Sequence, residues 1–432
     1  MKRDIKTLIN DSPMSSFQFL AVSICVMINM LDGFDVLVMA FTATSISNEW
    51  SIDNKSLGFL FSAGFIGMAV GAALLSRFAD IYGRRKIIVL CLVVVTIGML
   101  AAGMSQGYYM LAAARLFTGL GIGCALASLN CITAEYSSDK FRGLNISILQ
   151  LGYPVGGAIG GAVIGAMIPE LGWRPMFILG AILSLLMIPV VIWRLPESMD
   201  YLVARRPGNA LEKINSLLGK MGHEPIAQLP EPEPGSAALQ PGVRVLWKSE
   251  YRRATLLLWI GFFMVMSGVY FVLSWTPKLL TLAGLSETEG ISGGLILQVG
   301  GILGQVIFGL LCFKILSKWL SVFFMFFSAF FMCLFAWFAS DLAMAIYLGA
   351  FVGFFLFGSI NGLYVLSPAL YPAEIRTTGI GWGIGVGRIG AIIAPFVTGA
   401  LLDLGWESSR LYIVFAVPLL LAMSAVLYFS RK

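Results

Sequence analysis

The sequence predicts an all-α polytopic membrane protein, with twelve transmembrane helices arranged as two six-helix bundles. Three observations predict it. Of the 432 residues, 58% are hydrophobic and only 12% are charged, whereas a soluble protein of ordinary composition carries about 25% charged residues. The apolar residues fall in runs of about twenty, the length a helix needs to cross ~30 Å of hydrocarbon. A single long polar interruption, residues 195–253, divides those runs six and six.

The runs lie near 17–41, 56–76, 87–105, 108–132, 144–168 and 175–194, then 254–276, 291–313, 320–340, 342–367, 377–402 and 410–429. They define an N-terminal six-helix bundle (1–194), a linker (195–253) and a C-terminal six-helix bundle (254–432). The linker contains "LPEPEPGSAALQPG", whose Pro, Gly and Glu content cannot bury a core. The first run is too long for a cleavable signal peptide, and no small-residue cleavage site follows it.

Orientation follows from Lys and Arg. With both termini and the linker in the cytoplasm, 23 of the 29 basic residues lie on that side. Lys55, Arg174, Lys278 and Arg410 lie outside, and Arg115 and Arg388 lie within spans. This is the positive-inside pattern. It accounts for the formal net charge of +6 without a nucleic-acid partner. The expected setting is the cytoplasmic (inner) membrane of a bacterium.

Enzyme chemistry lacks material. The six cysteines all sit in apolar runs without a CxxC pair, and the single histidine, His223, lies in the linker. Neither a metal site nor a histidine-based triad can be assembled from these. "GVGRIG" (385–390) fits the dinucleotide pattern GxGxxG, but no strand precedes it and it lies in a membrane span. The glycines at 379, 383 and 387 instead give the small-xxx-small spacing that lets helices approach closely. No P-loop lysine motif is present, which argues against an ATP-driven pump. No cofactor is expected.

The charges inside the spans therefore carry the chemistry. "MINMLDGFDVLVMAF" (27–41) places Asp32 and Asp35 three apart, on one helix face. Counted from the cytoplasmic start, Asp32 lies ~22 Å deep and Asp35 one turn further out; Arg115 lies ~10 Å from the outer end of span four. The depths overlap, so a carboxylate and the guanidinium can satisfy one another. One reading is a permanent ion pair that locks two helices. The other is a pair that opens when a carboxylate takes a proton, and two acids beside one arginine favour a proton on one of them.

Arg388 is alone in span eleven, ~16 Å from either face. No acid lies at similar depth in the C-terminal half. An unpaired arginine near the midplane calls for an anion, and its planar fork suits a carboxylate. A bond to the backbone carbonyls of a broken helix is the alternative. Gln150, Tyr270, Asn361, Tyr364 and Trp382 are candidates for a shell around the rest of a bound anion. In a membrane span, though, an aromatic residue also serves as packing or interfacial belt.

Three charged stretches sit at the cytoplasmic rim: "SRFADIYGRRK" (76–86), "AEYSSDKFRG" (134–143) and "YPAEIRTTG" (371–379). The last two share Ala-Glu, then Arg, then Gly at corresponding places in the two halves, a weak internal repeat of the transporter kind. Asp80, Arg84, Arg85, Glu135, Arg142, Glu374 and Arg376 are thus expected to form salt bridges that close the cytoplasmic side.

These features together resemble the major facilitator superfamily. Its two-to-three loop pattern, Gly-x3-Asp-x2-Gly-Arg-Arg/Lys, is met by Asp80, Gly83, Arg84 and Arg85, with Ser76 in place of the first glycine. The matching loop after span eight keeps only Lys314 and Lys318. "RLFTGLGIG" (115–123) resembles the span-four Arg-x3-Gly motif, and "LPESMDYL" (195–202) resembles Pro-Glu-Ser-Pro-Arg-Trp-Leu.

Within the superfamily the chain is similar to the aromatic acid:proton symporters. "LDGFD" (31–35), "LSWTPKLL" (273–280) and the long stretch 361–395, Arg388 included, carry the likeness. The resemblance implies the major facilitator fold, proton-coupled uptake of an aromatic carboxylic acid such as a hydroxybenzoate, and functional roles for Asp32, Asp35, Arg115 and Arg388. "GFD" also resembles the Gly-Tyr-Asp of sugar porters, which points to Asp35 with Arg115 as the coupling pair. The proton is the expected coupling ion, and the chain is expected to act as a monomer.

Rival readings are a proton-driven efflux antiporter and a symporter of a non-aromatic acid or diacid. The efflux signature of span five has a proline where "GYPVGGAIGG" (152–161) has Gly157. That favours uptake. A non-transporting sensor would need an output domain, which the linker does not supply.

Overall fold

A computed structural model describes residues 9, 12–229, 243–312, 314–338, 340–371 and 373–429. They form an all-helical chain with twelve helices long and apolar enough to cross a membrane. Spans one to six are Ser16–Trp50, Asn54–Tyr82, Arg84–Gly103, Tyr108–Glu135, Asp139–Leu171 and Arg174–Arg194. Spans seven to twelve are Ser249–Leu282, Glu287–Leu311, Ser317–Phe338, Leu342–Leu370, Thr378–Asp403 and Ser408–Leu427. The protein is a multi-pass membrane protein.

Local chemistry starts the helices where the sequence places them. Ser15 caps span one: the Gln18 amide donates to Ser15 Oγ at 3.4 Å, and Ser15 N–H donates back to Gln18 Oε1 at 2.8 Å. Ser286 and Glu289 repeat this reciprocal box at span eight. Asp53 and Asp341 accept from the first turns of spans two and ten. Each cap satisfies helix-end donors that have no partner within the helix.

The packing is a repeat. In the first half, span one packs on five, two on four, three on four and six, and one on six. In the second half, seven packs on eleven, eight on ten, nine on ten and twelve, and seven on twelve. Adding six to each span number converts the first set into the second. Across the halves, span two meets eleven and span five meets eight, a pair that the same operation interchanges. Two bundles of one plan thus face each other around a two-fold axis, the arrangement of two-halved transporters.

Small residues allow the close approaches. At Gly156 of span five, a Cβ would press into the Met30 carbonyl oxygen of span one, leaving room only for hydrogen. Gly383 and Gly387 of span eleven lie against Leu258, Phe262 and Met266 of span seven, as their spacing predicts, whereas Gly379 takes the Tyr371 ring.

The polar interruption differs from a plain linker in its first part. Helices Met199–Arg205 and Ala210–Lys220 follow span six. They bury Leu202, Ile214, Leu217 and Leu218 with Ile24, Ile28 and Val191 of the first half. The apolar residues at 214, 217 and 218 recur at helical spacing and turn inward, so this part of the linker is docked. The "PEPEPGSAALQPG" stretch lies outside the described residues. Below, the membrane side carrying this helix pair is termed the linker end, and the opposite side the far end.

Candidate functional site

The two halves touch firmly at the far end. Asp403, at the end of span eleven, accepts from the Asn54 amide (3.1 Å), the Asn54 side chain (3.0 Å) and the Lys55 amide (2.8 Å) at the start of span two. Glu287 accepts from the Ser45 amide (3.0 Å) and hydroxyl (2.5 Å), and Thr44 meets Thr281 at 3.2 Å. Two to three turns further in, Ser62 Oγ donates to the Ile392 carbonyl at 2.7 Å.

Along span eleven the same face then parts from span two. Pro395 lies against Gly58, Ile392 against Ser62, and Arg388 Nη1 is 4.0 Å from Met68 Sδ. Gly385 and Gly381 follow at helical spacing on that face, and a Cβ at either would meet nothing within 4 Å. A cleft therefore runs between the halves from the linker end, and Arg388 stands where it closes.

Around that point lie tyrosines. Tyr270 of span seven meets Phe65 of span two edge to face at 4.7 Å, joining the halves. Tyr364 of span ten packs edge to face on Phe262 at 5.4 Å. Tyr153 of span five was not singled out by the sequence. It lies within electrostatic reach of Arg388, Arg115, Asp32 and Tyr270, and its buried hydroxyl has no hydrogen-bond partner. "GYPVGG" read only for its glycines conceals it; the position is three residues from Gln150, on the same helix face. Gln298 of span eight, also missed, is buried against Gly157 with its Oε1 unpartnered.

Asp32, Asp35 and Arg115 come together inside the first half, as the depth argument requires, but the direct ion pair does not form. Asp35 and Arg115 are 1% and 4% exposed and lie within electrostatic reach of one another. No salt bridge joins them: both Asp35 carboxylate oxygens and Arg115 Nε lack hydrogen-bond partners. Arg115 Nη1 instead points at Met99 Sδ, 3.8 Å away, and its guanidinium is 6.0 Å from the Phe177 ring centre. Asp32 is buried beside Asp35, with one oxygen unpartnered. Met99 and the Asp35 carboxylate both approach Gly180 of span six, and the Met99 thioether is what Arg115 faces.

Other expected shell residues are placed more loosely. Gln150, exposed on span five, donates to Asn130 Oδ1 of span four at 3.2 Å. Asn361 is half-buried. Trp382 is 47% exposed and stacks on Trp259 at 6.1 Å. Six residues from Arg388, it lies on a different face of span eleven, ~9 Å toward the linker end, and so away from the apex.

At the rim, Asp80, Arg84 and Glu135 draw together. Arg84 pairs with Glu135, donates to Ser198 Oγ at 3.1 Å, and lies 3.5 Å from Asp80. Glu135 also accepts from the Ser198 hydroxyl (3.1 Å) and the Met199 amide (3.0 Å). The Arg85 amide donates to Glu197 at 3.0 Å, while its guanidinium bonds the Ile192 carbonyl. Arg142 pairs with Asp139 at 2.6 Å. The Arg84 and Arg85 contacts fasten the first half to the start of the linker, while the Arg142–Asp139 pair lies at the start of span five. Span six ends beside the two-to-three loop, so Glu197 and Ser198 reach the motif first. Arg376 is exposed, and the Glu374 side chain lies outside the described residues.

The comparisons agree with this architecture. Residues 22–367 match the Major Facilitator Superfamily. The chain is 32% identical to the 4-hydroxybenzoate transporter PcaK of Pseudomonas aeruginosa, over 98% of this chain and 95% of that protein. It is 31% identical to a gallate transporter of Pseudomonas putida, over 98% and 94%. Among solved structures, the xylose transporter XylE of E. coli, in a partially occluded inward open conformation, superposes with a TM-score of 0.78. That match has 18% identity and covers 96% of this chain and 98% of the other.

Proposed function

The chain belongs to the Major Facilitator Superfamily, and on that basis we propose that it is a secondary active transporter that takes up an aromatic carboxylic acid together with protons. The observation that carries this reading is Arg388. Its guanidinium stands where the cleft between the halves closes, with no carboxylate within salt-bridge distance among the described residues. A bidentate carboxylate supplied by the substrate satisfies it. The relatives named above carry hydroxylated benzoates, molecules with a carboxylate at one end of an aromatic ring.

The other residues divide the task. Tyr270 and Tyr364 offer ring edges and hydroxyls to the aromatic body of the cargo, and Tyr153 offers an unpartnered hydroxyl. The carboxylate accepts from that group, and a ring hydroxyl either accepts from it or donates to it. Gln150 and Asn361 are assigned to the shell around the rest of the cargo.

Protons enter through Asp32 and Asp35. Moving a monoanion into a negative-inside compartment is opposed by about 2.3 kcal/mol per 100 mV, and one accompanying proton cancels that charge. A proton on Asp35 removes the field that holds Arg115, and freed of it span four can shift against span one. The cleft now open at the linker end would then close, and the far-end contacts of Asp403 and Glu287 would part. The linker end is assigned to the cytoplasm on the basic-residue count, and the protein acts without a cofactor, as a monomer.

Proteoliposomes loaded with a pH-sensitive dye test this. Addition of 4-hydroxybenzoate outside produces protein-dependent lumenal acidification, beyond the permeation seen in protein-free vesicles, and Asp35→Asn abolishes it. Silence of the wild type with 4-hydroxybenzoate, gallate and benzoate alike would refute the aromatic-acid reading.

A further inference from the structure

A second cavity, remote from the cleft, lies at the linker end of the first half. It has a volume of about 560 Å³ and is bounded by the starts of spans one and three, the end of span six and the helix Ala210–Lys220. Five cations line it: Arg85, Lys86, Arg194, Lys213 and Lys220. One carboxylate, Glu197, faces them and is already engaged by the Arg85 and Ser198 amides at 3.0 and 2.9 Å. The Arg85 guanidinium is held on the Ile192 carbonyl. Lys86, Arg194, Lys213 and Lys220 form no salt bridge among the described residues, although Lys220 sits 5.5 Å above the Phe17 ring.

Four uncompensated cations around one cavity repel each other, so the site is built for an anion. Its position says which. Lys86 lies in the first turn of span three and Arg194 ends span six, and the wall below them is apolar. Val89 lies one turn into span three, and Ile192 and Trp193, 41% and 79% exposed, face outward at the end of span six. A basic rim above an apolar wall at the bilayer surface matches an amphiphile with an anionic head, and tryptophan at this depth is characteristic of the lipid interface. A soluble anion would have no use for the apolar half.

We propose that this cavity binds the headgroup of an anionic phospholipid, with Lys86, Arg194, Lys213 and Lys220 around the phosphate and the acyl chains descending along Val89 and Trp193. The lipid joins span three and span six to the linker helix through charges that the protein itself leaves unpaired. The linker helix is thereby tied to the membrane as well as to the bundle. The proposal is independent of the cargo in the central cleft.

Native mass spectrometry of the purified full-length chain tests it, with phosphatidylglycerol or phosphatidylcholine titrated into the detergent. Wild type retains phosphatidylglycerol under activation that strips phosphatidylcholine. The variant K86Q/K213Q/K220Q loses that retained adduct, its affinity falling roughly a hundredfold, since each of three basic residues near an anionic surface contributes about one kcal/mol. K86R/K213R/K220R keeps it, which separates lost charge from lost fold. The single change Lys213→Gln, on an exposed position of its helix, gives a smaller loss in the same direction. Equal retention by the glutamine and wild-type proteins overturns the site, as does phosphatidylcholine held as firmly as phosphatidylglycerol. Displacement of the lipid by millimolar inorganic phosphate alone would assign the cavity to a free anion and overturn the lipid.

Discussion

Asp35 and Arg115 are buried side by side in the first half without touching. The carboxylate feels the guanidinium, yet neither of its oxygens is hydrogen-bonded, and Arg115 turns toward the Met99 sulfur. A permanent structural ion pair would be closed and bonded. This pair is poised, and its members are separable by one proton or by a small shift of span four.

Asp35→Asn is therefore expected to abolish uphill accumulation while leaving substrate exchange. With radiolabelled 4-hydroxybenzoate, the variant shows counterflow at a rate comparable with wild type but no accumulation under an imposed proton gradient. Accumulation at the wild-type level would remove Asp35 from the coupling step.

Arg388→Ala raises the KM for a carboxylate substrate by roughly 10- to 100-fold, the worth of a charge-assisted hydrogen bond at about 1.5–3 kcal/mol. Arg388→Lys falls between the two, because an ammonium keeps the charge and loses the planar fork. Initial uptake rates over a substrate series measure both, and an unchanged KM in the alanine variant would place the carboxylate elsewhere.

Tyr153→Phe removes one hydroxyl and little volume. The preference for 4-hydroxybenzoate over benzoate is expected to fall roughly fivefold, as for one neutral hydrogen bond of about 1 kcal/mol. Competition between the two acids in one uptake assay reads the ratio directly. An unaltered ratio would leave Tyr153 as packing.

Gly156→Ala and Gly385→Ala are expected to part company. At Gly156 the new methyl meets the Met30 backbone, and overpacking of this kind costs about 1–3 kcal/mol, read as a lower thermal midpoint. At Gly385 the methyl enters the open cleft, and the midpoint stays at its wild-type value. The larger Gly385→Trp keeps the fold and obstructs transport.

Arg84→Ala loosens the start of the linker from the first half. Glu135 and Ser198 each lose a charged partner, which costs about 1–3 kcal/mol. Limited proteolysis between the helices Met199–Arg205 and Ala210–Lys220 should accelerate several-fold. If the contact bridged the halves instead, the change would appear in the transport cycle with the linker still protected.

Much of this protein is legible along the chain. Span number, the six-and-six division and the exceptional standing of Asp32, Asp35, Arg115 and Arg388 all follow from one solvent property: hydrocarbon offers no partners, so long apolar runs become helices and any charge within them stands out. Tyr153 and Gln298 could not be found that way, since uncharged polar residues are affordable in a membrane helix wherever they point. Nor could the partners of Arg84, because Glu135 and Ser198 are brought to it from span four and from beyond span six. Whether Asp35 bonds Arg115 or merely faces it was likewise decided in three dimensions, where Gly180 lies beside the carboxylate and Met99 meets the guanidinium. Depth along a helix is local and can be counted; rotation about its axis and the distance to a neighbouring helix depend on packing from the whole bundle.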